Sequence, residues 1–372
     1  MATSIPHRPR LLHPLMGADL GTLLQVLSQN GGVPLRYWGH VALALGAAAA
    51  RSPFAAYERG MMARSPAPDS PNPAPIFIVG HWRSGTTHLY SVLSQAQEFA
   101  YVPPFAVGLP WDFLTLTKLF RPILERALPS HRFIDQVQVK ADSPQEDEIA
   151  LANMQAISFY HGLYFPRKFQ ENFDAGIFLD RCTAAEVETW QWSVRHFFQK
   201  LEQQQPGKRL LIKNPVYTAR VAMLKAMWPE AKFIHIYRNP YVVFHSTRNF
   251  YEKLFQELAL QSFSHIDLDE IVFSQYPRMM DLLVRDLAAL PEKDVVELSF
   301  EAFEEDPMGH LEKIYQGLDL PGLEENKTAF LTYLDSQKHY RKNQYQYSQD
   351  SLQAIAHRWR PWIERWGYEP PQ

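Results

Sequence analysis

Residues 76–87 read IFIVGHWRSGTT, and this stretch decides the fold. Ile76 to Val79 is a short continuous apolar run, which is typical of a strand buried on both faces of a parallel sheet. Gly80 to Gly85 follows as a loop with a glycine at each end. From Thr86 onward, apolar residues at positions 89, 92, 93 and 96 follow a helical spacing. The stretch therefore predicts a strand, a loop and a helix in that order.

The same order recurs twice further along the chain. Arg209–Lys213 (RLLIK) and Lys232–Arg238 (KFIHIYR) are apolar runs, each followed by an Asn-Pro pair and a helical pattern. Val295–Phe300 (VVELSF) is a fourth predicted strand. Alternating strands and helices predict an α/β fold, with a parallel sheet and helices on both faces. Residues 105–200 show helical patterns without an obvious strand, so we expect a helical insertion beside the sheet.

The N-terminal part of the chain differs in composition from the rest. The first 75 residues contain 10 of the 28 prolines and no lysine, and residues 64–75 (RSPAPDSPNPAP) form a Pro-rich linker. We therefore expect an N-terminal helical arm over residues 1–74, with a helix break at Pro53, and one domain over residues 75–372. The arm is expected to be a packing extension or a homodimer contact. A membrane-surface helix is the alternative.

The loop has the two glycines of a phosphate-binding loop at the spacing of the Walker A pattern, G-x-x-x-x-G-K-[ST]. The lysine of that pattern is replaced by Thr86, and the nearest base is Arg83, inside the loop. Loop amides and a helix N-terminus suit an anion. Without the lysine, the loop suits a shorter anion than a nucleoside triphosphate and requires no metal ion. The alternative is a metal-dependent nucleotide or small-molecule kinase that uses the same loop.

Two segments resemble motifs of the sulfotransferases that use 3′-phosphoadenosine 5′-phosphosulfate (PAPS). Phe77–His88 (FIVGHWRSGTTH) is similar to the motif that binds the 5′-phosphosulfate. Phe233–Ser246 (FIHIYRNPYVVFHS) is similar to the 3′-phosphate motif, in which a serine follows a strand-end arginine after eight residues, as Ser246 follows Arg238. The resemblance is closest to the broad bacterial group. It implies a P-loop NTPase-like fold and sulfuryl transfer from PAPS to the hydroxyl of a small acceptor.

The resemblance also implies which residues form the site. The residues expected to bind PAPS are Arg83, Ser84, Gly85, Thr86, Thr87, His88, Arg238, Ser246, Phe300 and Arg341. Phe300 is expected near the adenine, and Arg341 in a basic segment that closes over the 3′-phosphate. Arg83 is also expected to act in catalysis. Lys213 ends a strand at the carboxyl edge of the sheet, so we place it on the sulfonate or on the leaving phosphate. No metal is expected.

The base that accepts the acceptor's proton is expected about 60 residues beyond the loop, where the family has a histidine or a glutamate. Glu146 lies 63 residues after Arg83, since 146 − 83 = 63, and it is the candidate base. Glu148 and His161 are the alternatives. A base must lie within hydrogen-bonding reach of the proton that it accepts, which spacing alone does not establish.

The same glutamate also has a structural interpretation. Ser143-Pro144-Gln145-Glu146 fits a capping box with proline at the first helical position. Four carboxylates between residues 142 and 148 suit a helix N-terminus. Such crowding should also raise the pKa of one carboxyl group toward a value useful for a base. Both roles therefore stay open at the level of the sequence.

Composition narrows the other possibilities. The net charge is −3, so there is no bulk basic field for a nucleic-acid partner. The single cysteine, Cys182, excludes an internal disulfide framework and a zinc site built from cysteines. The apolar stretch Val41 to Ala50 is shorter than the ~20 residues that span a bilayer, and we expect a cytoplasmic protein. Aromatic residues within 159–173 and 250–255 predict a pocket for an apolar or aromatic acceptor.

Overall fold

The computed structural model describes residues 12–64, 72–127, 140–338, 345 and 347–371. The chain divides into two compact units. The first is called the helical unit and consists of Met1–Asn72, Val102–Pro206 and Glu252–Ile266. The second is called the sheet unit and consists of Pro73–Tyr101, Gly207–Tyr251 and Asp267–Gln372.

One parallel sheet organises the sheet unit. Its strands are β1 Ile76–Val79, β2 Phe99–Ala100, β3 Arg209–Lys213, β4 Lys232–Tyr237 and β5 Val295–Ser299. Their order is β2-β3-β1-β4-β5, and each neighbouring pair is parallel. The four predicted strands are confirmed. The chain leaves β1 toward β2 on one side and later crosses to β4 on the other, so the end of β1 is a topological switch point, where open α/β sheets bind ligands.

Alternate side chains of β1 pack into different layers. Ile78 lies in one buried cluster with Leu89 of the helix that follows β1. Phe77, its neighbour in the strand, instead contacts Tyr217 and Trp228 from the segment between β3 and β4, with ring centroids 5.7 and 5.8 Å apart. Because successive residues of a strand point to opposite faces, helical segments cover both faces of the sheet. This confirms the predicted α/β architecture.

Helices make up most of the described residues. In chain order they are α1 Leu20–Gln29, α2 Trp38–Arg64, α3 Thr86–Leu93, α4 Pro104–Gly108, α5 Phe113–Ala127, α6 Glu148–Ala152, α7 Phe159–Tyr164, α8 Phe169–Phe178, α9 Ala184–Gln204, α10 Val221–Met227, α11 Pro240–Leu258, α12 Leu268–Ala288, α13 Phe300–Glu305, α14 Pro307–Gly317, α15 Leu323–Ser336, α16 Gln349–Arg358 and α17 Arg360–Trp366. Short 3-10 helices span Pro14–Gly17, Leu35–Tyr37, Pro166–Lys168, Pro215–Ala219 and Glu292–Asp294. The predicted helical insertion corresponds to α4–α9.

The predicted helix break at Pro53 is wrong, because α2 continues through this proline. Proline lacks the N–H that would bond to the carbonyl of Ala49, four residues earlier. The hydroxyl of Ser52 donates to that carbonyl instead, at 2.8 Å. The neighbouring side chain therefore replaces the lost backbone bond, which allows the helix to continue.

A buried ion pair joins α2 and α9 within the helical unit. The Lys200 ammonium lies 2.8 Å from the Glu58 carboxylate, and the two side chains are 0% and 1% exposed. The ammonium also donates to the carbonyl of Pro110 at 2.5 Å. Burial lowers the pKa of Lys200, while the charge and hydrogen bond of Glu58 act against that shift. The charge of Glu58 therefore favours the charged form of Lys200 in a buried environment that would otherwise disfavour it.

Glu58→Gln should lower the free energy of unfolding by about 3 kcal/mol, because it removes the nearest counter-charge of a buried ammonium. The paired exchange Glu58→Leu with Lys200→Met should recover most of that loss. Urea denaturation measures both values. Glu364→Gln, which removes the exposed partner of Arg360, is the control and should have little effect. A Glu58→Gln effect as small as the control would contradict this account.

Candidate active site

The loop after β1 has a left-handed backbone at three residues. Gly80, Arg83 and Gly85 have φ values of 146°, 71° and 95°. An arginine in this region costs on the order of 1–3 kcal/mol and occurs mainly where the surroundings impose it, as at functional sites. The hydroxyl of Thr218 accepts from the N–H of Gly80 at 2.9 Å and donates to its carbonyl at 3.0 Å. These two bonds hold the start of the loop in one conformation.

Gly85 is the N-cap residue directly before α3, and a larger side chain there would overlap its surroundings. A Cβ atom on Gly85 would lie 2.1 Å from the ring of Phe300. Gly85 caps the helix without a side-chain hydrogen bond, and the N–H of Leu89 is the donor to its carbonyl, at 3.2 Å. The amides of Thr86 and Thr87 in the first turn have no intrahelical acceptor. Together with the helix dipole, they form an anion-binding terminus.

The two sequence motifs meet at a hydroxyl of α11. The Nε of Arg83 donates to the Oγ of Ser246 at 2.9 Å. Tyr345 donates its hydroxyl to the same oxygen at 3.0 Å. From the end of β4, the Nη1 of Arg238 donates to the carbonyl of Arg83 at 3.3 Å. Two segments more than 150 residues apart in the chain are thus joined by side-chain contacts.

Arg238 is a largely buried guanidinium group. Its Cζ lies 4.4 Å from the centroid of the Phe300 ring, which is a cation–π contact. Its Nε is buried and has no hydrogen-bond partner among the described residues. Burial lowers the pKa of Arg238, and the charges of Glu301 and Glu304 act in the opposite direction. A buried donor of this kind is suited to a negatively charged acceptor.

Lys213 reaches the loop from the neighbouring strand. It lies at the end of β3, opposite Ile78 of β1, and is 1% exposed. Its ammonium donates to the Oγ1 of Thr87 at 3.1 Å. The ammonium group of Lys213 therefore lies at the start of α3, although Thr86 occupies the place of the lysine in the Walker A pattern.

Ser84 and His88 have further contacts in the sheet unit. The Ser84 hydroxyl donates to the carbonyl of His81 at 2.8 Å, which stabilises the turn of the loop. The ring of His88 contacts the rings of Phe303 and Phe300 edge-on, with centroids 5.5 and 6.4 Å apart. Arg341 lies outside the described residues. Of the predicted PAPS-binding residues, the structure therefore brings together Arg83, Gly85, His88, Arg238, Ser246 and Phe300 through direct contacts.

Comparison with known proteins decides the family. The model of a family described as "Sulfotransferase family" matches residues 75–325, which include the loop, Arg238, Ser246 and Phe300. The chain belongs to the sulfotransferase family. This confirms the family to which the two motifs pointed.

Curated relatives of this sulfotransferase agree with that assignment. Omega-hydroxy-beta-dihydromenaquinone-9 sulfotransferase Stf3 of Mycobacterium bovis is 32% identical over 298 residues, which cover 79% of this chain and 75% of the relative. The same values hold for Stf3 of Mycobacterium tuberculosis. Sulfuryl transfer is therefore the shared reaction of the family.

Solved structures confirm the fold. Sulfotransferase STF9 from Mycobacterium avium superposes with a TM-score of 0.65 at 16% identity, over 95% of this chain and 97% of the other. STF1 from Mycobacterium tuberculosis gives 0.60 at 15% identity, over 91% and 90%. The sulfotransferase described here therefore has the P-loop-like fold that the motifs implied.

The predicted capping box at Ser143–Glu146 is wrong. Helix α6 begins at Glu148 and is capped by Asp147, which makes no side-chain capping bond. The preceding segment is irregular, and the N–H of Gln145 donates to the carbonyl of Val102 at 2.9 Å. Glu146 is therefore a half-buried residue in an irregular segment of the helical unit. Its candidacy as the base no longer competes with a capping role.

The two alternative bases are both engaged within the helical unit. The Glu148 carboxylate is 1% exposed and accepts from the hydroxyl of Ser158 at 2.6 Å. Both ring nitrogens of His161 lie 2.9 Å from backbone carbonyls, those of Ala156 and Ala152. Burial lowers the pKa of His161, while its hydrogen bonds to the two carbonyls act against that shift. These contacts fit structural roles for Glu148 and His161.

The aromatic residues that were expected to line an acceptor pocket pack against one another. The ring centroids of Phe169 and Phe173 lie 4.7 Å apart, and those of Phe169 and Phe255 lie 5.5 Å apart. All three side chains are buried. Their pattern in the sequence reflects the core of the helical unit, since buried aromatic residues and pocket-lining ones look alike in a sequence.

The described part of the chain offers neither a metal-ligand cluster nor a membrane-spanning helix. No group of three or more histidine, cysteine, aspartate or glutamate side chains is placed to hold a metal ion. No described helix combines the length and the hydropathy needed to cross a bilayer.

Gly85→Ala should lower the free energy of unfolding by about 2–3 kcal/mol, because the new methyl group overlaps the Phe300 ring and the backbone is left-handed. Thermal or urea unfolding measures the loss. Gly60→Ala on α2 is the matched control, because its Cβ meets no atom within 4 Å, and it should be neutral or stabilising. Combining Gly85→Ala with Phe300→Leu should be less harmful than the sum of the two changes. Additive effects would show that the ring is not the obstacle.

Proposed function

We propose that this sulfotransferase takes the sulfuryl group from PAPS and transfers it to a hydroxyl group of an apolar acceptor. The observation that carries the donor assignment is the buried Nε of Arg238, which has no partner among the described residues. It lies beside the Ser246–Arg83 contact and over the Phe300 ring. A 3′-phosphate would supply the missing acceptor, and the adenine is proposed to lie near Phe300, whose ring is buried against Gly85 and Arg238.

The other end of the donor belongs at the start of α3. The amides of Thr86 and Thr87 and the helix dipole would bind the 5′-phosphate. Lys213, which is held by the Thr87 hydroxyl at 3.1 Å, would add a full positive charge at the bridging oxygen. In this arrangement Arg238 and Ser246 would bind the 3′-phosphate of PAPS, and the loop after β1 would bind its 5′-phosphate.

The reaction needs no covalent intermediate with the enzyme. A lone pair of the acceptor oxygen attacks sulfur, and the bond between sulfur and the 5′-phosphate oxygen breaks. The leaving product is 3′-phosphoadenosine 5′-phosphate (PAP), on which negative charge develops. Lys213 and the amides of α3 stabilise that charge, so they bind the transition state more strongly than the ground state.

Glu146 is proposed to accept the proton that the acceptor hydroxyl loses. Its carboxylate is half-buried, lies outside any helix and is not needed as a cap. Of the three candidates, Glu148 and His161 have the contacts of structural residues. Glu146 also lies 63 residues after Arg83, where the resemblance to the family places the base, so we assign it the role of general base.

The proposed acceptor is a hydroxylated apolar molecule of the menaquinone kind. The support is the relative Stf3, whose name gives omega-hydroxy-beta-dihydromenaquinone-9 as its substrate and which is 32% identical over 79% of this chain. An assay that offers a hydroxylated menaquinone, a simple phenol and a sugar alcohol with labelled PAPS tests this choice. Transfer to the sugar alcohol alone would overturn it.

PAP should bind in the presence of EDTA, and Arg238→Ala should weaken this binding by about 10- to 150-fold. A charge-assisted hydrogen bond is worth ~1.5–3 kcal/mol, which corresponds to that range. Adenosine 5′-monophosphate lacks the 3′-phosphate, so Arg238→Ala should change its affinity little. Isothermal titration calorimetry measures both ligands.

The control for this variant is Arg248→Ala, an exposed arginine of α11 that pairs with Asp269 at 2.6 Å, and it should leave both affinities unchanged. Equal losses for the two nucleotides in Arg238→Ala would place the 3′-phosphate elsewhere. An absolute requirement for Mg²⁺ would contradict the donor assignment and favour a kinase.

Glu146→Gln should reduce turnover by about 10²- to 10⁴-fold, because an amide cannot accept the acceptor's proton. PAP affinity and melting temperature should stay the same, since the residue caps no helix. Asp142→Asn, an exposed carboxylate in the same segment, is the control and should keep full activity. Near-normal turnover in Glu146→Gln would remove this residue from the mechanism, and Glu148 would be tested next.

A further inference from the structure

Exposed apolar side chains are unevenly distributed over the described residues. Eleven large ones are exposed, and ten of them belong to the helical unit, the other being Leu331. Scattered single exposures are normal on a protein surface, but a contiguous group marks an interaction site. Among the ten exposed apolar side chains of the helical unit, several of those on α2 and α5 form such a contiguous group.

Helix α2 presents a long uncharged face. Between Trp38 and Tyr57, the only Asp, Glu, Lys or Arg is Arg51. Its guanidinium donates to the buried carboxylate of Asp112 at 2.8 Å, so this charge is directed inward. Leu43 is 41% exposed, and Phe54 follows eleven residues later, which places both on one side of the helix. This stretch of 20 residues is about 30 Å long.

Helix α5 adds a second apolar group flanked by bases. Leu119, Phe120 and Ile123 are 59%, 40% and 64% exposed. The exposed charged residues of this helix are Lys118, Arg121, Glu125 and Arg126, three bases against one acid. The protein as a whole has a net charge of −3, so this surface departs from the average of the chain.

A ring contact joins the two groups. Phe54 of α2 meets Phe120 of α5 edge-on, with centroids 6.4 Å apart. The exposed residues on either side of this contact therefore form one surface. This surface, named the docking face, consists of Leu43, Phe54, Tyr57, Leu119, Phe120 and Ile123.

We propose that the docking face binds the surface of an anionic lipid bilayer. Apolar side chains beside lysine and arginine match the boundary between acyl chains and acidic headgroups. Tyr57 of the docking face adds an amphipathic ring of the kind that favours this boundary. A two-fold contact with a second copy would bring the bases of both α5 helices toward each other, which is unfavourable, whereas acidic headgroups attract them. This inference does not depend on which sulfuryl donor or which hydroxyl acceptor the enzyme uses.

The test uses the full chain and two kinds of vesicle, phosphatidylcholine alone and phosphatidylcholine mixed with phosphatidylglycerol. Sedimentation should show binding to the mixed vesicles, weaker binding to the neutral ones, and release at high salt. Leu119→Gln with Ile123→Gln should weaken binding about tenfold or more, because both side chains leave the apolar boundary. Lys118→Gln with Arg126→Gln should remove the preference for phosphatidylglycerol.

The matched control is Leu331→Gln, which changes an exposed leucine of the sheet unit and should bind as the unmodified protein does. Circular dichroism checks that each variant is folded. Absence of binding to the mixed vesicles, or equal binding by the Leu119/Ile123 variant, would overturn the proposal. A concentration-dependent dimer that this variant abolishes, without vesicle binding by the original protein, would instead assign the docking face to a second copy.

Discussion

The ring of Phe300 occupies the space that a side chain at residue 85 would need, and the site is organised around this contact. Strands β1, β4 and β5 are parallel neighbours, so the segments that follow them emerge at one edge of the sheet. The loop after β1, Arg238 after β4 and Phe300 after β5 meet there. The Phe300 ring thus limits residue 85 to glycine, and the same ring contacts the guanidinium of Arg238.

The position of Lys213 shows how the fold compensates for a missing lysine. In the Walker A pattern the lysine belongs to the loop itself. Here Thr87 of α3 accepts a hydrogen bond from a lysine that ends the adjacent strand. A positive charge is thereby held at the helix N-terminus by tertiary structure. Because Lys213 extends from the neighbouring strand, its ammonium group is buried and held in one orientation by Thr87. This arrangement suits contact with a single anionic oxygen better than contact with a chain of three phosphates.

Sequence patterns predicted the elements that rest on local physics. Four strands, β1, β3, β4 and β5, could be predicted from their apolar runs, and the loop from its two glycines. Strand β2 has two residues, which is too short to show a periodic pattern. The continuation of α2 through Pro53 depends on the Ser52 hydroxyl, and the late start of α6 depends on a backbone bond to Val102. Tyr345 and Thr218 contact the site through tertiary structure alone, so no sequence pattern identified them.

The buried Nε of Arg238 has a consequence for how the protein resists denaturation. An unsatisfied buried donor on a charged group costs roughly 1–3 kcal/mol in the ligand-free state. Selection for stability alone would have replaced this arginine with an apolar side chain of similar length. Its presence means that the ligand-free fold carries a local destabilisation, which a bound anion would remove. Under the proposed donor assignment, the melting temperature should therefore rise with the concentration of that nucleotide, and a cell rich in it would contain a longer-lived enzyme.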